Sequence, residues 1–563
     1  MFAQIYPRFI NRVGEFNPQL FREIKGRLQP RNLVIVSALS IIGQVLLFAY
    51  FEGLLPLGEG VYNRYCTGVG YNQYSSAQAS CIVDYLGNVQ IIKELWWLDL
   101  FTTMSIIGIF ALLVGGSYML IADVTKEERE GTFNFIRLSP QSATDIFVGK
   151  ILGVPIFIYL FGFLAIPLHI WSGLSAHIPF PLIIGFYLVL GASCLFFYGV
   201  SLVLSLVTGG WGNFQAPLVG IFIFFFLFAM AGVTFEVYAP TFTETSIDWL
   251  LLFYPGVFLA YLVKSTFLSI NTVGYLSAEA LTNLHWYGKD LFRNAFTGGF
   301  FMVLNYGLWT FWLYKGLKRR FENPLATVIS KPQSYCISLS FIIVNLGFSL
   351  QVFHEYHYFS DSLKVVQGLN LILFLLLIAG LTPSRQSLRD WARFRHQNSH
   401  DRRTLFQDLV FGEKSPAVVA IALNLLLVNL YIIPSLFLPI NNNNNNAYSL
   451  IQLANGVLVI ALYASMVQLL MTLKTKKRGL IAMGAVILMM VSPLSLALIT
   501  NNNTEIITFL FPIPLMFDKN ISLSLLSFNL IAQTIAVIAS NVQITRVVNK
   551  VGMSETKRLM MSN

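Results

Sequence analysis

Apolar residues along this chain come in long blocks, and short polar or charged segments separate them. A helix needs about 20 consecutive apolar residues to cross a hydrocarbon core. Runs close to that length fall at 33–51, 100–121, 146–171, 181–207, 216–235 and 299–317, then at 338–353, 365–381, 416–439, 448–473, 480–500 and 522–542. The pattern predicts an all-α polytopic membrane protein of about twelve transmembrane helices. Two apolar stretches are left over. Residues 247–270 carry Pro255 and Gly256 near the middle, and 506–517 are too short to span and carry Pro512 and Pro514. Both precede the last span of their half and predict re-entrant hairpins, which survive at membrane depth only against protein or a water-lined cavity.

Basic residues orient the layout. With the N-terminus inside, 30 of the 37 Lys and Arg fall on inner segments. That bias predicts both termini in the cytoplasm. Span order repeats as six plus six. Each half has a basic lead-in, two spans, a long charged inner loop, three more spans, a broken hairpin and a sixth span. The third span of each half opens alike, at Ser139–Pro140 and Ser415–Pro416, which read as an N-cap followed by Pro at the first helical position. Parallel repeats of this kind are common in transporters. The predicted domains are a cytoplasmic lead-in at 1–32, a first six-span domain at 33–320, a linker at 321–337, a second, diverged six-span domain at 338–545 and a tail at 546–563. Within the lead-in, residues 17–30 predict a helix capped by Asn17, started by Pro18 and stopped by Pro30. Leu20, Ile24 and Leu28 share one face, suiting a cytoplasmic membrane surface. The run of asparagines at 441–446 predicts an outer low-complexity turn.

Composition agrees. The 563 residues are 55% hydrophobic and only 11% charged, with a mean hydropathy of +0.65. Soluble proteins carry roughly a quarter charged residues, so that class is excluded. The net charge of +10 follows from the inner loops, and no basic–aromatic alternation points to nucleic acid. No short apolar core with a small-residue cleavage site opens the chain, so the first apolar run is expected to stay as a span. Cys66 and Cys81 share one outer loop, where an oxidising compartment would allow a disulfide; Cys194 and Cys336 sit in or beside apolar runs. No CxxC pair or His cluster has metal-ligand spacing.

The exception to this sparing use of charge is 125–150, "TKEEREGTFNFIRLSPQSATDIFVGK". Thr125 to Glu128 fits a capping box, and Glu127, Glu128 and Glu130 would then crowd the positive end of a helix dipole. Phe133 and Ile136 recur at i, i+3 as an apolar ridge, Gly131 permits a bend, and Leu138 closes the element. The spacing predicts a short, capped, charged-then-apolar helix on the cytoplasmic face, joined rigidly to spans two and three.

The stretch resembles the inner-loop signature of the type-2 permeases of ATP-binding cassette (ABC) exporters. That signature runs Glu-x-x-x-Gly-Thr, then Leu-x-x-(Ser/Thr)-Pro, then Gly-Lys opening the third span. The matching positions are Glu127, Gly131, Thr132, Leu138, Ser139, Pro140, Gly149 and Lys150, with Leu138 directly before Ser139 where the signature leaves two residues between. The motif covers about 26 residues, and the family's six-span order with its broken outer hairpin covers 17–320. The resemblance implies that this element is a coupling helix seated on a separate ATPase subunit, with Glu127, Glu128, Glu130, Gly131, Thr132, Phe133, Ile136, Leu138, Ser139 and Pro140 at the contact. It further implies a bacterial inner-membrane exporter partnered by two copies of an ABC ATPase. ATP and Mg would then sit on those partners, with no cofactor in this chain, and the permease would be a pseudo-dimer within one chain or a homodimer. The second inner loop, 382–416, keeps Thr404 and Ser415–Pro416 but lacks Glu-x-x-x-Gly-Thr and the Gly-Lys; Leu405, Phe406 and Leu409 could still form a docking ridge there.

Other chemistry is thin. No G-x-x-x-x-G-K-[ST] occurs, so the chain has no phosphate loop of its own. The runs hold almost no ionisable residues; His169 lies near an outer end, and Gln44, Asn305, Asn345, Asn370, Asn424 and Asn529 either line a path or bond helix to helix, the second being the reading for any single one. Lys264 lies in the first hairpin, His354, Glu355 and His357 in an outer loop, and Asp390, His396, His400 and Asp401 in the second inner loop. The alternatives are a twelve-span ion-coupled carrier, and behind it a polytopic membrane enzyme.

Overall fold

The computed structural model describes residues 14–56, 58, 63–71, 77–208, 212, 214–235, 246–264, 284–349, 356–397, 402–436, 446–475, 477–499 and 523–552. Apolar blocks become helices because lipid offers no partners for backbone N–H and C=O groups, which a helix satisfies within itself. Seven helices among the described residues are long and apolar enough to cross a membrane, or eight if one bent pair counts as a single span. The protein is therefore an all-α, multi-pass membrane protein. The other runs of the sequence pattern also form helices. Those at 416–439 and 480–500 have shorter apolar described cores, Val418–Pro434 and Arg478–Ser492. Those at 299–317 and 338–353 lie in helices that carry Arg319 and Arg320 in the last turn or bury Ser334, Ser338 and Asn345. The hairpin expected at 506–517 and the asparagines 441–445 lie outside the described residues.

The chain divides into two compact units, one of Met1–Thr243, Asp248–His285 and Lys289–Lys318, the other of Glu244–Ile247, Trp286–Gly288 and Arg319–Asn563. The first unit opens with α1 (Pro18–Arg27). Asn17 caps it as the sequence predicts, its Oδ1 accepting from the Leu20 N–H at 2.9 Å. There follow α2 (Pro30–Gly53), a helix α3 that runs through Lys93–Glu130, α4 (Thr132–Leu138), α5 (Ala143–Gly153), α6 (Ile156–Ser175), α7 (Phe180–Thr208) and α8 (Gln215–Phe235). A π-turn at Ala111–Gly115 interrupts α3, and the Tyr198 hydroxyl donates to the Leu112 carbonyl there at 2.8 Å. Pro255 and Gly256 break the predicted hairpin into α9 (Asp248–Leu251) and α10 (Val257–Lys264), and the unit's last residues, up to Lys318, lie in α11 (Ala295–Glu322).

The surface-lying helix expected at 17–30 has a different seat. Gln19, Glu23 and Ile24 are buried, and α1 packs on α5. Gly149 and Gly153 permit this. A Cβ at 149 would meet Gln19 Cβ at 2.8 Å, and one at 153 would meet Glu23 Cβ at 2.5 Å. The pair forms a small-xxx-small face that lets two helix backbones approach closely. Asn17 also donates its side-chain amide to the Asp145 carbonyl at 2.8 Å, pinning the start of α1 to α5.

Between α2 and α3 the loop folds as a hairpin, β1 (Gly68–Tyr71) against β2 (Ala77–Ser80), with Gly68 opposite Ser80. Cys66 and Cys81 are joined as a disulfide at its open end, with Cα atoms 4.8 Å apart.

The second unit contains α12 (Lys331–Ser349), α13 (Tyr356–Leu381), α14 (Arg385–Gln397), α15 (Arg402–Phe411), α16 (Val418–Leu436), α17 (Asn446–Met471), α18 (Arg478–Ile499) and α19 (Leu523–Gly552). Polar side chains join helices in both units, as the sequence predicts. Gln44 donates to the Leu164 carbonyl at 3.3 Å, Asn424 donates to Ser334 at 2.9 Å, and Ser338 donates to Asn424 at 2.8 Å.

Two outcomes follow. Gly153→Val should separate α1 from α5 and cost about 1–3 kcal/mol, the usual overpacking range; thermal unfolding in detergent and faster proteolysis near the N-terminus would report it. Cys66→Ser with Cys81→Ser should cost about 3 kcal/mol, the chain-entropy value for a loop of this length, read as a lower unfolding midpoint that matches reduced wild type.

Candidate functional site

The charged row at 126–130 does not start a helix. Burial of Leu120, Ile121, Val124 and Thr125 extends the inward face of α3 through it, and Thr125 Oγ1 donates to Gln215 Oε1 at 3.0 Å instead of capping. The expected capping box is therefore absent. Glu127, Glu128 and Glu130 lie at the C-terminal end of α3, where the helix dipole disfavours them. The helix stops at Gly131, whose φ of 74° is the left-handed conformation glycine adopts without strain. The short helix α4 holds only Thr132–Leu138. Ser139 closes it by donating to the Ile136 carbonyl at 2.7 Å. The N-cap of the next helix is accordingly Ser142, not Ser139: its Oγ accepts from the Asp145 N–H at 3.1 Å and donates to the Asp145 carboxylate at 2.7 Å.

What offsets the carboxylates at the wrong end of a dipole is Lys150. It is fully buried on α5, and its Nζ lies 2.7 Å from Asp123, 2.7 Å from Glu127 and 3.5 Å from Glu23. Arg27 adds bonds to Glu23 at 3.1 Å and to Asp123 at 2.5 Å, and Arg22 pairs with Glu127 and with Glu23. Three cations and three carboxylates thus tie α1, α3 and α5 together. Burial opposes the Lys150 charge, but Asp123, Glu23 and Glu127 outweigh it and hold the ammonium above its ordinary pKa. Arg22 is likewise partly desolvated, and Glu127 and Glu23 hold its pKa up. Glu23, Asp123 and Glu127 bring carboxylate oxygens within 4.8 Å of one another, an arrangement that suits a hard cation. Here the Lys150 ammonium takes that position and satisfies the charge.

The candidate contact residues divide into two sets. Phe133 and Ile136, the expected docking ridge, turn inward and are 1% and 7% exposed. Phe135 and Leu138 stand out instead, at 77% and 84%. Glu127 is taken up by the cluster, whereas Glu130, Thr132 and Pro140 are exposed and Glu128, Gly131 and Ser139 half-buried. Arg137 lies over the Phe133 ring at 4.8 Å. Burial lowers its pKa, with the Glu128 charge acting in the opposite direction.

The second unit builds a related element by other means. Phe406 is 68% exposed on α15, and Leu405 is exposed beside it. Ser415 is fully buried and donates to the Asp408 and Gly412 carbonyls at 2.6 and 2.9 Å. The buried Lys331 donates to Ser415 Oγ at 2.6 Å and to the Leu409 carbonyl at 2.7 Å. Desolvation pulls its pKa down to about 8, with Asp408 pulling the other way. Ser415 therefore fastens a loop and caps no helix, since α16 begins at Val418.

Sequence reasoning passed over Asp123, Glu23 and the structural role of Lys150. The available signal was a lysine inside an apolar run, which needs a partner. It also passed over Asp99 in α3, which accepts from Tyr65 Oη at 2.8 Å and pairs with Arg64 at 3.1 Å. His169 is buried between Ser105 Oγ and Tyr187 Oη, each 2.7 Å from a ring nitrogen. His354, Glu355, His400 and Asp401 lie outside the described residues.

Lys150→Met should cost about 3–5 kcal/mol, because it strands buried carboxylates. The raised Lys150 pKa gives stability that is complete below about pH 10.4, its unfolded value, and is lost as pH rises through the higher folded value. Thermal unfolding in detergent between pH 7 and 11 should show an alkaline decline in wild type that is smaller in the Met variant.

No protein-family model matches this chain, and no curated protein or solved structure is significantly similar to it.

Proposed function

We propose that the chain is the membrane permease subunit of an ATP-driven ABC exporter, coupling ATP hydrolysis on a separate subunit to movement of a substrate across the membrane. The observation that carries this is α4. Its inner residues Phe133 and Ile136 are buried and its outer residues Phe135 and Leu138 are exposed, at the end of a helix continuous with a membrane span. An apolar patch on such an element is suited to a partner surface, and the Lys150 cluster makes the element stiff enough to transmit displacement. Phe406 on α15 provides a second apolar contact in the other unit.

In this proposal α11, α12, α13, α16 and α18 complete twelve spans in a six-plus-six arrangement, and both termini and α4 lie in the cytoplasm of a bacterium. ATP and Mg belong to two ATPase copies; this chain binds neither.

A twelve-span ion-coupled carrier is the second proposal. Asp99 and His169, ionisable groups buried in spanning helices, favour it. Affinity purification of the tagged chain in mild detergent separates the two. An ABC ATPase should co-purify and be lost in Phe135→Asp with Leu138→Asp, at least tenfold by mass spectrometry, while the unfolding midpoint stays within about 2 °C. Charge reversal at Glu128 and Glu130 should weaken the same capture. A chain that purifies alone and transports under an ion gradient without ATP would overturn the exporter.

A further inference from the structure

We propose that α14 is an anchor for the headgroups of anionic phospholipids in the leaflet that meets the inner end of α13. The apolar stretch of α13 ends at Leu381, and α14 begins at Arg385, bent 68° away from it. A helix turned so far from a span, three residues beyond its apolar end, runs along the boundary layer where headgroups lie. Its sequence, RQSLRDWARFRHQ, carries four arginines against one aspartate. That many guanidinium groups are excluded from hydrocarbon.

The four arginines are not equivalent. Arg395 faces Asp408 at 3.8 Å. Leu388 and Ala392 are buried where α14 packs on α19. Arg385, Arg389 and Arg393 recur at i, i+4 and i+8, so they form one stripe along the flank of the helix. None of the three makes a hydrogen bond or an ion pair among the described residues. Asp390 borders the stripe, three residues before Arg393, but forms no ion pair with it among the described residues. Three guanidinium groups at one-turn spacing, held at headgroup depth and outnumbering the one carboxylate beside them, complement a row of phosphates. Guanidinium is the side-chain group best matched to phosphate, which it grips through two parallel N–H donors. Phe394, 55% exposed on the opposite flank, adds an apolar group of the kind that enters the acyl boundary. In the proposed topology this is the cytoplasmic leaflet, whose anionic lipids attract basic segments. The assignment needs no ATPase and stands or falls apart from the exporter proposal.

The test titrates short-chain phosphatidylglycerol, short-chain phosphatidylcholine and inorganic phosphate separately into the detergent-purified full-length protein. Binding is followed by the unfolding midpoint and by native mass spectrometry. Phosphatidylglycerol should bind and stabilise, and the other two should not. Each Arg→Gln change should weaken it about fivefold, and R385Q/R389Q/R393Q together roughly a hundredfold. R385K/R389K/R393K should retain binding within about tenfold, and K474Q/K477Q within about twofold. Because the three side chains bond nothing in the described chain, the Gln variant should unfold at the wild-type midpoint without lipid. Equal stabilisation by phosphatidylcholine or by inorganic phosphate would overturn the proposal. So would a triple Gln variant that still binds phosphatidylglycerol normally, including one that instead loses a co-purifying protein.

Discussion

A lysine ammonium with no exposed surface has to be neutralised where it sits, and Lys150 is such a group. Taking it out of water costs several kcal/mol, and only closely placed carboxylates with further hydrogen bonds offset that. The carboxylates come from two other helices: Glu23 from α1, Asp123 and Glu127 from α3. Arg22 and Arg27 complete the balance. The direction of α1, the end of α3 and the start of α5 are therefore not independent. Each is fixed by the same buried charge, and the close approach at Gly149 and Gly153 brings the partners within reach.

Stiffness at this end of the first unit follows. After its π-turn α3 runs without a break to Glu130, and the single residue Gly131 joins it to α4. Burial of Phe133 and Ile136 roots α4, which leaves Phe135 and Leu138 as its free apolar surface. The second unit holds Lys331 with a serine hydroxyl and backbone carbonyls, where the first uses carboxylates. Burial lowers the Lys331 pKa, and the pull of Asp408 in the other direction does not make up for it. The two units thus fasten their charged loops by different electrostatics, in keeping with the divergence between 125–150 and 382–416.

Between helices the same economy holds with uncharged groups. Gln44, Asn424, Ser334 and Ser338 bond across helix pairs, where the alternative is an unsatisfied buried amide or hydroxyl. Asp99 and His169 are admitted on the same terms, each with two partners.

The sequence by itself determined the class, the helical nature of its apolar runs, the Asn17 cap and the break at Pro255–Gly256. Each rests on local chemistry: block length against bilayer thickness, a side-chain oxygen three residues from an N–H, a residue without an N–H. It marked Cys66 and Cys81 as a pair, and only the fold brought them to bonding distance. Helix ends were less legible. Thr125 and Ser139 have the residue types of caps, but a helix continues wherever tertiary contacts keep one face buried, and Gln215 and the Ile136 carbonyl claimed those hydroxyls. Which of Phe133, Phe135, Ile136 and Leu138 faces outward depends on the turn made at Gly131. The charge cluster depends on three segments up to 127 residues apart in sequence, from Glu23 to Lys150. Coulomb attraction acts through space, so its partners are chosen by packing, and no spacing along the chain records that choice.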